Sequence, residues 1–256
     1  MKSMGFIGSG RAAKIILGGL KHTRKLDFAV TVSDPSQDAI NALIREIPGV
    51  RSAGDDNKAS AGCDYVFISL HPPVFIDELK KVSGAVKDDA IIISLAPRIK
   101  IETIKEVTGA KNIIRMLPNS PSIIGKGYNP VVFSKDFDPS RRKEAVSLLE
   151  KLGDLAEVKE ESLEIYAVIT AMGPTYFLFQ WKEMLDLAIE FGLSEKDAME
   201  GVSKMLSGTL SLFSDTGIDF AVKNDLVPVR PFSDEEDNIK NIFKTRLSMT
   251  FNKLRS

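Results

Sequence analysis

The sequence predicts an α/β fold, a doubly wound parallel sheet followed by an all-helical C-terminal domain. Two observations lead to this prediction. Short apolar runs alternate with amphipathic segments through residues 1–158, and residues 159–256 show the helical period alone. The 256 residues are 43% hydrophobic and 27% charged, which is enough apolar material for a sizeable core. We therefore expect one domain on each side of residue 158.

The predicted strands are short and strongly apolar. They are 4–7, 28–32, 65–70, 90–95, 112–117 and 131–133. Several are apolar throughout rather than alternating, which is typical of strands that are buried on both faces of a parallel sheet.

The predicted helices of the first domain are 12–20, 35–47 and 141–152. Asp34 stands where a helix cap belongs and Pro35 at the first helical position, so we expect Asp34 to begin the second helix. Gly153 is a typical helix end. In the second domain, residues 160–191, 194–213 and 234–254 have the helical period, and a proline-containing loop separates the last two.

Composition excludes several classes of protein. The 34 Lys and Arg against 35 Asp and Glu give a net charge of −1, which argues against nucleic-acid binding. One Cys and two His are too few for a typical zinc site, so we expect no metal. No uninterrupted apolar run approaches the roughly 18 residues that span a bilayer, and the first residues lack the features of a signal peptide. We expect a cytoplasmic protein with no membrane or nucleic-acid partner.

A glycine motif follows the first predicted strand. Gly8, Gly10 and Ala13 form G-x-G-x-x-A between a strand and a helix, which is the context that dinucleotide binding requires. Gly8 permits the tight turn, Gly10 lets a pyrophosphate approach the backbone, and Ala13 lets the helix pack closely on the strand. We expect a Rossmann-type domain that binds the cofactor through Gly8, Ser9, Gly10, Arg11, Ala12 and Ala13, with the phosphates at the helix start.

The second predicted strand ends at Ser33 and Asp34. An acid there can accept hydrogen bonds from the adenosine ribose and repel a 2′-phosphate, although Asp34 could equally act as a helix cap alone. No cation follows immediately, and Arg11 is the nearest candidate for a phosphate contact. The cofactor is therefore predicted to be NAD(P)H, with NADH favoured over NADPH.

Two further strand ends supply candidate cofactor contacts. Doubly wound sheets bind ligands at the carboxyl ends of their strands. The candidates are Ser69, Leu70, His71, Pro72 and Ala96. His71 could contact the cofactor or act as an acid, or it could simply face solvent. We expect Cys63 to be an inert packing residue.

Three stretches resemble the pyrroline-5-carboxylate reductase family. Residues 5–10 read G-F-I-G-S-G, similar to the family's G-F-I-G-x-G-N-M-A with Arg11 in place of Asn. Residues 115–121 read R-M-L-P-N-S-P and resemble R-x-M-P-N-T-P, with Gly127 at the later glycine. Residues 173–176, G-P-T-Y, resemble the G-P-A-Y of the helical domain.

The resemblance implies hydride transfer from the nicotinamide to the C=N bond of a small cyclic imino acid, as in proline synthesis. It implies no obligatory side-chain nucleophile, so no catalytic residue is assigned. Asn119, Gly173, Pro174 and Thr175 become the candidates for substrate binding. The family also implies a homodimer or larger homo-oligomer formed through the helical domain, 159–256.

The chain departs from the family in one substrate-binding stretch. The late S-P-G-G-T-T has no counterpart, and residues 226–232 stand there instead, with Arg230 as the cation that could bind a carboxylate. Two alternatives stay open: a non-catalytic nucleotide-binding or sensor protein, and a β-hydroxyacid dehydrogenase-like enzyme. The second needs a lysine one turn beyond a glycine of the first long helix, where this chain has Phe177, four residues after Gly173.

Overall fold

The protein is described from a computed structural model, which covers residues 1–24 and 26–255, and at positions 72 and 73 the backbone alone. The chain divides into two compact units. The first comprises Met1–Met172 and Phe251–Ser256, and the second comprises Gly173–Thr250. The sequence boundary at residue 158 marks a change of composition, whereas the units divide after Met172. The difference arises because Leu163 and Ala167 pack with Leu117 in a small buried cluster of the first unit.

The first unit is built on one eight-stranded sheet, counted over the described residues. The strands are β1 Ser3–Ile7, β2 Ala29–Ser33, β3 Arg51–Ser52, β4 Tyr65–Ile68, β5 Ile91–Ser94, β6 Ile113–Met116, β7 Gly127–Phe133 and β8 Gly153–Glu157. Their order is β3-β2-β1-β4-β5-β6-β7-β8, and β1 to β6 pair in parallel. The order reverses direction between β1 and β4, which confirms the doubly wound fold.

Apolar side chains cover both faces of this sheet. Phe6 and Phe67 belong to one buried cluster, and their rings stack with centroids 4.6 Å apart. Val66 and Ile68, on either side of Phe67 in β4, belong to a second cluster. Because successive strand residues point to opposite faces, this two-sided burial explains why the predicted strands are apolar throughout.

The last two strands differ from the parallel prediction. β7 pairs antiparallel with β6 and parallel with β8. Residues 117–126 join β6 to β7, and they are too few for the crossover helix that a parallel connection requires. The sequence did not predict β3 or β8, because β3 is two exposed residues long and β8 has no buried residue in its described pattern.

The helices of both units are bounded as follows. They are α1 Arg11–His22, α2 Gln37–Glu46, α3 Asn57–Ala61, α4 Pro72–Val82, α5 Ile101–Thr108, α6 Pro139–Leu149, α7 Leu163–Tyr166, α8 Pro174–Glu190, α9 Glu195–Ser214, α10 Phe220–Asp225 and α11 Glu236–Arg255. Short 3₁₀ turns occur at Ser83–Ala85, Ser120–Ile124, Glu150–Leu152, Glu160–Ser162 and Ser233–Glu235, and a π-helical turn at Ala167–Ala171.

The start of α2 corrects the prediction that Asp34 caps it. Ser36 is the N-cap, and its Oγ accepts a hydrogen bond from the Ala39 N–H at 3.2 Å. The Asp34 Oδ1 instead accepts the Ser36 N–H at 2.8 Å in a short side-chain turn. This turn moves the helix start to Gln37 and leaves Pro35 outside the helix.

The second unit is helical throughout its regular described structure, which confirms the helical C-terminal domain. Its helices bury little: the described residues of α8 include no buried one, and those of α9 include Ala198 alone.

Among the described residues, the stretch Glu160–Glu190 is long and apolar enough to cross a membrane by length and composition. The sequence prediction concerned uninterrupted apolar runs, and polar residues such as Thr170, Thr175 and Gln180 interrupt this stretch.

Candidate cofactor and substrate site

The carboxyl ends of the central strands lie side by side at the point where the strand order reverses. The Gly8 N–H, after β1, donates to the Ser33 carbonyl at the end of β2 at 2.8 Å. The Ser69 N–H, after β4, donates to the Ile7 carbonyl of β1 at 2.9 Å. The structure therefore brings together three of the segments that the sequence nominates for cofactor binding, at the edge where doubly wound sheets bind ligands.

The two glycines of the loop after β1 occupy different surroundings. Gly8 has a φ of +98°, and a Cβ there would lie 2.8 Å from the Ser69 carbonyl oxygen, so the fold itself requires glycine. Gly10 has an ordinary φ of −72°, and a Cβ there would meet none of the described atoms within 4 Å. The space beside Gly10 is open, as the approach of a pyrophosphate to the backbone requires.

The start of α1 offers backbone donors to an anion. Gly10 is the N-cap, no described side chain caps the helix, and its first turn contains no acidic residue. Its first N–H groups therefore lack intrahelical acceptors and lie at the positive end of the helix dipole. Arg11 is exposed at the first position and Ala12 is half-buried. Ala13 is fully buried in the core, which agrees with a packing role.

Asp34 connects the loop after β1 to the end of β2. Its Oδ2 accepts the Ser9 N–H at 2.8 Å, while Oδ1 holds the Ser36 N–H. Each carboxylate oxygen has a second lone pair for a ribose hydroxyl. Ser33 is fully buried and its Oγ donates to the Phe6 carbonyl at 3.3 Å, which leaves this side chain inside the sheet.

The ends of β4 and β5 complete this edge of the sheet. Ser69 and Leu70 are half-buried, and His71 is the exposed N-cap of α4 with no side-chain cap bond described. The side chain of Pro72 lies outside the described residues. Ala96 is 2% exposed and follows Leu95, whose N–H donates to the Ile68 carbonyl at 3.0 Å.

Asn119 is held in place by its own side chain. It is 9% exposed, it is the N-cap of the 3₁₀ turn after β6, and its Oδ1 accepts the Tyr128 N–H at 3.1 Å. Its Nδ2 group donates to none of the described residues. An oriented amide donor of this kind suits a carboxylate.

A buried arginine that the sequence analysis did not single out as a site residue lies in β6. Arg115 is 1% exposed, its Nη1 donates to Glu160 Oε1 at 3.0 Å, and its Nη2 donates to Glu164 Oε1 at 2.7 Å. We name these three residues the Arg115 cluster. A cavity of about 410 Å³ opens beside it. A single charge inside an apolar strand was the signal available in the sequence.

Cys63 and Asp64 precede β4 and differ in their surroundings, because the Cys63 thiol is buried and the Asp64 carboxylate accepts hydrogen bonds. Cys63 is 5% exposed, and burial raises the pKa of its thiol, which agrees with an inert packing residue. The Asp64 carboxylate accepts hydrogen bonds from the Lys87 Nζ at 2.6 Å and the Ser3 N–H at 2.7 Å. These bonds, led by the one from Lys87, lower the pKa of Asp64 to about 2.

Sequence comparisons agree with this geometry. A family model described as NADP oxidoreductase, coenzyme F420-dependent, matches residues 3–98. The pyrroline-5-carboxylate reductase of Staphylococcus haemolyticus is 26% identical over 225 residues, which is 86% of this chain and 82% of that relative. That of Corynebacterium melassecola is 22% identical over 221 residues, or 85% of this chain and 82% of the relative. The chain is similar to pyrroline-5-carboxylate reductases over most of its length, at low identity.

Solved structures show that the likeness extends to the fold of the whole chain. The pyrroline carboxylate reductase of Plasmodium falciparum, solved with NADP bound, has a TM-score of 0.78 at 18% identity and covers 99% of this chain and 95% of its own. The pyrroline-5-carboxylate reductase of Streptococcus pyogenes has a TM-score of 0.76 at 15% identity, with coverage of 99% and 98%.

The remaining substrate candidates lie in the second unit. Gly173 is the buried N-cap of α8, followed by Pro174 at the first helical position and the exposed Thr175. Arg230 forms an ion pair with Glu236 in the same unit. The cation that the sequence offered as a carboxylate ligand therefore has an acidic partner, and both side chains of the pair are exposed. The assignments of Asn119 and of the α8 start to substrate stay predictions.

Proposed function

We propose that the chain is an NAD(P)H-dependent reductase that transfers a hydride to the C=N bond of a small cyclic imino acid, of the pyrroline-5-carboxylate class. One observation supports the cofactor part most directly: the open space beside Gly10 at the uncapped start of α1, next to the Asp34 carboxylate. The relatives named pyrroline-5-carboxylate reductase, which align with most of the chain, supply the substrate class.

Each part of the site has a stated task in this reaction. Nicotinamide, when bound, supplies the hydride. The first N–H groups of α1 hold the pyrophosphate, and Asp34 accepts a ribose hydroxyl. The buried Leu95 and Ala96 keep water from the reacting face. Asn119 orients the substrate through its Nδ2 donor, and alignment of the two reactants supplies the acceleration. We assign no side chain as an obligatory acid or nucleophile.

The substrate carboxylate needs several donors, because an unpaired buried charge is costly. The start of α8, a 17-residue helix, comprises Gly173 as N-cap, Pro174 and Thr175. Proline at the first position lacks an N–H, so the donors come from the residues around it. For the carboxylate we prefer this helix start to Arg230, which already pairs with Glu236.

For the cofactor, we propose a preference for NADH over NADPH. Asp34 follows the end of β2, where an acidic residue of a dinucleotide-binding fold accepts the ribose hydroxyls, and its charge would repel a 2′-phosphate. Replacing Asp34 by Asn removes the charge and keeps one acceptor oxygen, so one of the two N–H groups, that of Ser9 or that of Ser36, loses its acceptor. We expect the ratio of NADPH to NADH affinity to rise in Asp34→Asn, and an unchanged ratio would contradict this assignment. The Plasmodium falciparum relative has NADP bound, so both cofactors belong in the titration.

The proposed assembly is a homodimer or larger homo-oligomer formed by the second unit. Its described helices expose large apolar side chains, among them Phe179, Phe191, Leu210 and Phe213. Apolar patches of this kind on soluble proteins mark interaction surfaces. We propose that a second copy of the chain covers this apolar surface. We place the protein in the cytoplasm, as a reductase of proline biosynthesis.

The decisive experiment measures oxidation of NADH and of NADPH by the purified chain with a panel of cyclic imino acids of different ring size. We expect turnover with pyrroline-5-carboxylate or a close homologue, and none in a Gly10→Val control. Calorimetric binding of cofactor without turnover of any panel member would overturn the reductase and favour a non-catalytic nucleotide-binding protein.

A further inference from the structure

The segment that follows β5 leads from Ala96 to the start of α5. In the proposed function, Leu95 and Ala96 keep water from the reacting face, which is that of the nicotinamide. At the near end of this segment, the Leu95 N–H donates to the Ile68 carbonyl of β4. Between this anchor and α5 the backbone passes through Arg98, which has a left-handed φ of +76°. A non-glycine residue rarely adopts this conformation without support from its surroundings.

That support comes from the two glutamates of the Arg115 cluster. Glu164 Oε1 accepts the Arg98 N–H at 3.1 Å, and Glu160 Oε1 accepts the Ile101 N–H at 2.8 Å. Ile101 is the first residue of α5, and its N-cap, Lys100, makes no described side-chain cap bond. Glu160, which lies 59 residues further along the chain, therefore caps α5, and its negative charge suits that end of the helix.

The guanidinium of Arg115 fixes both carboxylates. The oxygen that accepts each loop N–H is the same oxygen that accepts a bond from Arg115, in both glutamates. Arg115 is fixed by its own position, since it projects from β6 and is 1% exposed. The order of contacts therefore runs from strand to guanidinium, to carboxylates, to the backbone of the loop. Charge-assisted bonds of this kind are short and directional.

We infer that Arg115 is a positioning residue that acts through Glu160 and Glu164 to hold residues 95–101 in the shape that seats the nicotinamide ring. The inference rests on the proposed function, because that function assigns Leu95 and Ala96 to the reacting face of the nicotinamide. The inference distinguishes the nicotinamide half of the cofactor site from the adenosine diphosphate half. The adenosine diphosphate half depends on Gly10 and Asp34, which are remote in sequence and do not bond to the Arg115 cluster in the described structure.

The test uses the glutamates, because replacing the buried arginine would leave two carboxylates unpaired and could unfold the chain. In Glu164→Ala the Arg98 N–H loses its acceptor. We expect kcat with NADH to fall about 10- to 100-fold, since small misplacements of reacting groups cost that much. Affinity for ADP-ribose, which lacks the nicotinamide, should stay within about twofold of wild type, a difference of less than half a kcal/mol.

Two further variants separate positioning from a general structural role. Glu164→Gln keeps an amide oxygen for Arg98 and Arg115, so it should recover most of the lost kcat. Glu161→Ala removes an exposed neighbouring glutamate that lines the same cavity without a described hydrogen bond, and it should behave as wild type. Thermal unfolding of all three variants shows which of them remain folded.

The inference is overturned if Glu164→Ala has the kcat of Glu161→Ala, or if ADP-ribose affinity falls as much as kcat does. Failure of the proposed function gives a different result. If wild type binds NADH but reduces no imino acid, the reductase proposal fails, and the ratio of NADH to ADP-ribose affinity still tests the positioning role. A ratio unchanged by Glu164→Ala would then reject it.

Discussion

Two glycines of the loop after β1 are required for different reasons, one by the fold and one by a ligand. Gly8 combines a left-handed φ with close approach to the Ser69 carbonyl, so any side chain there is strained. Gly10 has neither restriction, because its backbone is extended and its surroundings in the described structure are open. Substitution at the two positions should therefore affect different measurements.

Gly10→Val should abolish NADH binding in a protein that melts within a few degrees of wild type. The valine methyls would fill the volume that the pyrophosphate needs, and an extended backbone tolerates a β-branched residue. Calorimetry with NADH and a thermal melt check this expectation. Gly8→Val is the control and should lower the melting temperature. Unchanged NADH affinity in folded Gly10→Val would refute the dinucleotide assignment.

Asp64 should make the first unit sensitive to acid. The pKa of its carboxyl is about 2 in the folded protein, below the ordinary value of 3.8, mainly because of the hydrogen bond from Lys87. A depressed folded pKa stabilises the fold above the unfolded pKa, and this contribution is lost as the pH falls from about 3.8 towards 2. Urea unfolding of wild type and Asp64→Asn across this range should show a shallower pH dependence in the variant. Identical slopes would contradict the role of Asp64.

At the scale of elements, helical glycines distinguish close packing from free surface. Gly19 lies in α1, where a Cβ would be 2.2 Å from the Ser122 carbonyl oxygen and 2.7 Å from a methyl of Leu152. Gly201 lies in α9, where a Cβ would meet none of the described atoms within 4 Å. The first glycine allows α1 to approach the 3₁₀ turn at Ser120–Ile124, and the second only weakens its own helix.

Gly19→Ala should therefore lower the free energy of unfolding by about 1–3 kcal/mol through overpacking. Gly201→Ala should raise it by about 0.5–1 kcal/mol, since alanine is the better helix former. Denaturant titrations of the two variants beside wild type give both values. Destabilisation of similar size at both positions would argue against the close packing of α1.

Elements that leave a pattern in neighbouring residues were predictable from the sequence, whereas elements decided by contacts between distant residues were not. The central strands and the motif at Gly8 and Gly10 were predictable because buried apolar runs and glycine spacing are local patterns. The start of α2 was not, since Asp34 and Ser36 are both good caps and only the hydrogen bond to Ser9 decides between them. The Arg115 cluster joins residues 45 and 49 positions apart, and no local pattern reveals such a pair.

At the scale of the whole molecule, the exposed apolar side chains of the second unit predict self-association. Phe179 on α8 is 67% exposed, and Phe179→Glu would place a charge in the proposed interface. Burying that charge is costly, so we expect the dimer dissociation constant to rise about tenfold or more, in sedimentation velocity over a concentration series. Lys196→Glu, on the exposed start of α9, is the control. A wild-type monomer at all concentrations would exclude the proposed assembly.

The thiol of Cys63 makes the chain its own reporter of binding. The sequence contains one cysteine, and because its side chain is buried, an alkylating reagent can reach it only when the surrounding part of the first unit opens. The labelling rate then measures how often that opening occurs. A ligand that binds only the closed form slows labelling by the factor 1 + [L]/Kd. The affinities of NADH, NADPH and ADP-ribose could thus be ranked with the wild-type chain, without an added probe, a substrate or a turnover assay.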